Sequence, residues 1–62
     1  MTDGYIIEVT VQNKTAFITE REGNLYSTSR REEATVFPSK LDAMCAFVYI
    51  EDRYQPRLAP CS

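Results

Sequence analysis

Apolar and polar residues alternate cleanly at residues 5–11, YIIEVTV. Tyr5, Ile7, Val9 and Val11 fall on one side, Ile6, Glu8 and Thr10 on the other, which is the period of a half-buried strand. Gln12, Asn13 and Lys14 interrupt the pattern, and Asn13 tolerates the left-handed backbone of a tight connection, so a hairpin is expected. Residues 15–20, TAFITE, resume it with Ala16, Ile18 and Glu20 opposed to Thr15, Phe17 and Thr19. The core side of this second strand stays open: burying Phe17 removes more apolar area from water than burying Ala16, but turns Ile18 outward. Glu22, Gly23 and Asn24 mark a second turn, and Leu25–Thr28 forms a short third strand. Short connections throughout predict an antiparallel meander.

The period changes further on. SRREEA, residues 29–34, reads as a polar loop with one helical turn, Ser29 and Glu32 having capping-box spacing. Residues 34–37 return to extended backbone, either as a short fourth strand or as the segment that delivers Phe37 into the core. Pro38 holds Phe37 extended, Ser39 is placed to cap a helix, and Asp42 completes the capping pattern while adding negative charge at the positive helix end. A helix over residues 39–53 is predicted. At about 100° per residue it gathers Leu41, Ala43, Met44, Cys45, Phe47 and Val48 on the core face and leaves Asp42, Ala46, Tyr49 and Arg53 outside. The expected fold is α+β: a small antiparallel sheet of three to four strands with one C-terminal helix packed on one face. Residues 1–53 form the single domain, and YQPRLAPCS, residues 54–62, with two prolines and no periodicity, a flexible or loosely packed tail.

Composition narrows the classes. The chain of 62 residues is 44% apolar and 26% charged, the balance of a folded domain, yet so short a chain buries only about 60% of the surface it exposes unfolded. Homodimerisation would relieve that small core. A net charge of −2 argues against indiscriminate binding to a phosphate backbone. Cys45 and Cys61 are too few for a disulfide framework. Cys45 on the expected buried face points to a reducing cytoplasm, in preference to a Cys45–Cys61 bridge. The start, MTDGYIIEV, shows no apolar export segment, and AMCAFVYI is less than half a membrane span, so no membrane association is expected.

The chemistry-bearing residues are sparse. Without histidine the commonest general base is missing, and cysteines and carboxylates are not grouped at metal-ligand spacing, so neither enzyme activity nor a cofactor or metal is expected. Glu32–Glu33 and Glu51–Asp52 are adjacent rather than opposed acids and read as solvated charge. Two glycines, Gly4 and Gly23, make no phosphate-cradling loop. Lys14, Arg21, Arg30 and Arg31, with Tyr26 as a stacking surface, would make a nucleic-acid patch, but Glu32 and Glu33 follow at once and cancel much of the field. Tyr49 on the outer helix face and Tyr54 at its end, with Arg53, are candidate partner-binding residues, because tyrosine combines apolar area with a hydroxyl at small entropic cost. Arg30 and Arg31 join that set, and open sheet edges offer a second route to a partner.

The run EEATVFPSKLDA, residues 32–43, after a strand-rich start, resembles a pattern in short phage and prophage reading frames: strands, then Ala-Thr-x-Phe, a Ser cap and a helix. Here Tyr26 stands where that pattern carries a tryptophan in the third strand. The resemblance implies a small protein of the host-cell cytoplasm that binds a host protein, such as a defence or transcription factor, and inhibits or modulates it. Three functions therefore stand as expectations: a non-catalytic protein-binding module, a nucleic-acid binder using the four basic residues, and a nucleotide or small-ligand binder at a homo-oligomer interface.

Overall fold

The computed structural model describes residues 4–61, Cys61 by its backbone alone. The strands β1 (Gly4–Val11), β2 (Lys14–Arg21) and β3 (Asn24–Thr28) come first. A 3-10 turn (Arg31–Glu33), the helix α1 (Lys40–Phe47), a second 3-10 turn (Asp52–Tyr54) and β4 (Arg57–Cys61) follow. The four strands form one antiparallel sheet in the order β3-β2-β1-β4, with one helix on its face, the α+β architecture expected from the sequence.

Both hairpins turn on two residues of positive φ, Gln12 (52°) with Asn13 (65°) and Glu22 (52°) with Gly23 (80°). Two left-handed residues give the turn a twist that matches the strands it joins. The first turn pairs Val11 with Lys14 and Val9 with Ala16, and this parity settles the face of β2. Ala16 and Ile18 join Ile7 and Val9 in the core, whereas Phe17 is half-buried on the other face. Register thus outweighs the area that a buried Phe17 would have offered.

The opposite face is not simply solvated. Ile6, assigned to the polar side of its strand by alternation, is buried at 1% exposure. The connection from β3 passes over it, with Ala34 and Val36 lying alongside. That connection then runs between the two central strands. The β1–β2 pairing covers Glu8–Val11, and nearer the start of β1 the gap is filled by residues 35–37. Thr35 donates its N–H to the Ile18 carbonyl (3.1 Å) and accepts the Glu20 N–H on its hydroxyl (2.7 Å), while Tyr5 and Phe37 exchange backbone hydrogen bonds. The extended segment expected to deliver Phe37 does so, and Phe37 is buried among the core residues. The expected Ser29–Glu32 cap is not used: Thr28 donates its hydroxyl to Glu33 (2.9 Å) and accepts the Arg30 N–H (3.2 Å).

The helix starts as its sequence dictates. Ser39 accepts the Asp42 N–H (3.2 Å) and its hydroxyl donates back to the Asp42 carboxylate (3.1 Å). It ends at Phe47, well short of Arg53, and its phase differs from the expectation. Ala43 and Ala46 are the buried pair and Phe47, Ile50 and Tyr54 pack beside them, while Leu41, Met44, Cys45 and Val48 are exposed. Ala46, expected outside, is thus inside. The cause is distance: α1 lies across β1, and alanines one turn apart let the two backbones approach, which Leu41 or Met44 would prevent. Phe37 and Ile50, from outside the helix, supply the volume that the alanines do not.

Residues 54–62, expected as a loose tail, instead carry the second 3-10 turn's end and β4, so the helix is not the C-terminal element. Leu58 sits opposite Ile7 and packs against the core. Arg57 sits opposite Glu8, with 3.9 Å between the charged groups, and also donates to Thr10 (3.3 Å) and the Gln55 carbonyl (2.8 Å). Ser62 lies outside the described residues, and the Cys45–Cys61 bridge would involve a side chain outside those described.

Candidate functional site

Because α1 lies over β1, it leaves the β2–β3 side of the sheet face open. Two depressions run there between β3 and the helix with its following turn. One, of about 290 Å³, is floored by Val9, Val11 and Ile18 and walled by Leu25, Ile50 and Tyr54. The other, of about 600 Å³, lies toward the β2–β3 turn among Glu20, Asn24, Phe37, Asp42 and Cys45. Leu25 and Tyr49 line both, so the two adjoin at these side chains and together make a shallow, two-part channel beside β3. The charged residues that line it are all acidic: Glu20, Asp42 and Glu51.

The strand beside the channel is a sheet edge. Among the described residues, no backbone segment other than β2 hydrogen-bonds to β3. Its sequence, NLYST, contains neither charge nor proline. The opposite edge, β4, carries Arg57 and Pro60, and a proline withholds the N–H that an added strand would need. One edge is therefore guarded and the other open.

The residues singled out from the sequence fall into separate places. Tyr49 is 81% exposed, as expected, and stands in the middle of the channel wall. Tyr54 is half-buried against the core, and the Arg53 guanidinium lies over its ring at 4.9 Å and donates to its hydroxyl at 3.1 Å. Arg53 also pairs with Glu51 at 3.3 Å. Arg31 lies across the sheet from these, beside Ile6 and Val36, and Arg30 pairs with Glu33 at 3.7 Å. The structure does not gather the four basic residues into one patch. Lys14 and Arg21 stand at opposite ends of β2, roughly 23 Å apart at strand rise, and their parity turns them to opposite faces.

The outer surface of α1 was missed by the sequence reading. Leu41 is 75% exposed, Val48 71% and Met44 39%, and Cys45 beside them is a free, exposed thiol. The signal was present in KLDAMCAF, which is apolar on both faces of the helix, so that periodicity alone does not choose the inner one. Among the described residues no three of His, Cys, Asp and Glu are grouped to hold a metal ion, and no helix is long and apolar enough to cross a membrane.

In comparisons with known proteins, no family model, curated protein or solved structure significantly matches this chain.

Proposed function

We propose that this chain is a non-catalytic protein-binding module that takes up an extended segment of a partner along the free edge of β3. The observation that carries this reading is the pairing of an unguarded strand edge with a partly apolar, partly acidic channel beside it. A strand added to β3 would gain main-chain hydrogen bonds, and its period of two would turn every second side chain toward the channel, where Leu25, Ile50 and Tyr54 wait. The acidic lining favours Lys or Arg near those apolar anchors. The resemblance of residues 32–43 to phage-encoded proteins supplies the partner class, a host protein whose activity the module would inhibit or modulate in the cytoplasm.

Affinity capture from a bacterial lysate, followed by cross-linking and mass spectrometry, tests the reading. A stoichiometric protein cross-linked to Asn24–Thr28 or Tyr49 is expected. Tyr49→Ala should weaken capture by about tenfold or more, as for an interface aromatic, while leaving the melting temperature nearly unchanged because the side chain is exposed. Capture of nothing at stoichiometric level, or of a partner indifferent to Tyr49→Ala and cross-linked elsewhere, would overturn it.

A further inference from the structure

We propose that two copies of this chain associate through the outer faces of their α1 helices, packed antiparallel about a twofold axis beside Met44 and Cys45. The inference needs no partner segment in the β3 channel and concerns the outer surface of α1, which borders that channel at Cys45 and Tyr49.

The pattern on that surface is its own reverse. Leu41, Met44, Cys45 and Val48 are spaced three, one and three residues apart, so the apolar positions read alike in either direction along the helix. At 100° per residue Leu41 and Val48 lie nearly in line at the two ends, with Met44 and Cys45 to either side of that line at the middle. A twofold rotation then sets Leu41 against Val48 of the partner subunit, Met44 against the partner's Met44 and Cys45 against the partner's Cys45. A twofold interface must be self-complementary in this way, and an apolar helix face without that symmetry would fit an unrelated partner as well.

Charge favours the same order. Lys40 stands at the start of α1 with Asp42 in the same turn, and Asp52 follows its end beside the paired Glu51 and Arg53. Antiparallel packing brings Lys40 of one helix toward Asp52 of the other, and it opposes the helix dipoles head to tail, whereas a parallel pair would set like against like.

The area sets the strength. With Tyr49 at its border the exposed apolar patch is on the order of 500 Å², as large as the biggest patches on ordinary monomers but short of the roughly 800 Å² per partner of a standard interface. A dimer with a Kd in roughly the micromolar range is therefore expected. It would also cover leucine, methionine and valine that a 62-residue domain cannot bury by itself.

The test uses the full chain carrying Cys61→Ser, so that Cys45 is the one thiol. Sedimentation at rising concentration should show a reversible monomer–dimer equilibrium. Mild oxidation with diamide, which takes up the two electrons and two protons as two thiols become one disulfide, should trap a Cys45–Cys45 dimer at those concentrations. Met44→Asp sets two carboxylates against each other at the axis and should raise the Kd by roughly tenfold or more, with the circular dichroism spectrum unchanged because Met44 is not one of the residues packed on the core. A chain that stays monomeric up to millimolar concentration overturns the proposal. So does a dimer that resists Met44→Asp and gives no Cys45 cross-link, which would place self-association elsewhere, at the β3 edge for instance.

Discussion

Tyr5 and Phe37 hydrogen-bond to one another through both of their backbone groups, the Tyr5 N–H to the Phe37 carbonyl at 2.9 Å and the Phe37 N–H to the Tyr5 carbonyl at 2.8 Å. Neither residue could find this partner in a plain four-stranded meander. The pair closes the gap between β1 and β2 and sets Phe37 in the core, so the chain after β3 is built into the sheet rather than draped over it. Gly4 is what admits it. A Cβ at Gly4 would lie 2.5 Å from a Val36 methyl carbon and 2.9 Å from the Phe37 carbonyl oxygen. Gly4→Ala should therefore destabilise the fold by about 1–3 kcal/mol, the usual cost of overpacking. A urea midpoint equal to that of the parent chain would show that residues 35–37 do not hold this position.

The two tight turns differ in what they ask of their residues. Gly23 and Asn13 accept positive φ readily, but Gln12 and Glu22 hold 52° without that advantage. Glu22→Asn yields the Asn-Gly pair that type I′ turns favour, in an exposed position whose side chain makes no hydrogen bond or ion pair among the described residues. A stabilisation of about 0.5–1 kcal/mol is expected, read as a rise in melting temperature. A fall would mean that the Glu22 side chain supports the turn in some way that its conformation does not reveal.

The strands, both hairpins and the Ser39 cap are legible in the sequence because each is set by neighbours: alternation, turn chemistry and one hydroxyl three residues before its N–H. The fourth strand is not. RLAPC has a proline and no clean alternation, and what makes it a strand is the unoccupied side of β1 some fifty residues earlier, where Leu58 meets Ile7 and Arg57 meets Glu8. Long-range pairing of this kind leaves no local mark. The candidate site is legible only in part. Tyr49 stands out by its exposure on a helix end, but the channel depends on where α1 lands on the sheet, and the open edge of β3 is recognised only once β4 has taken the other one.

The role of β4 gives a decisive experiment on chain length. Shortening the chain to residues 1–56 removes the Leu58 packing, up to about 1.5–3 kcal/mol, and strips β1 of its second ladder. A domain of this size has roughly 3–9 kcal/mol in total, so the loss is a large share of its stability and should lower the melting temperature followed by circular dichroism by about 6–24 °C. A loose tail would predict the opposite, a cooperative melt close to that of the full chain.

The phase of α1 can be decided with two substitutions two residues apart in sequence and on opposite faces of the helix. Ala43 is fully buried where the helix meets β1, and Leu41 is three-quarters exposed on the outer face. If size alone chose the inner face, leucine would be the better core residue and Leu41→Lys the damaging change. The geometry requires the reverse. Ala43→Leu forces added carbon atoms between two packed backbones and should cost about 1–3 kcal/mol, whereas Leu41→Lys changes an exposed position and should stay within about 0.5 kcal/mol. Both should be measured by urea denaturation at a concentration where the chain is monomeric, since lysine on the outer face would also oppose self-association. Two equal midpoints, or a larger loss for Leu41→Lys, would mean that α1 is rotated from the position that places Ala43 and Ala46 against the sheet, and with it the channel wall at Tyr49.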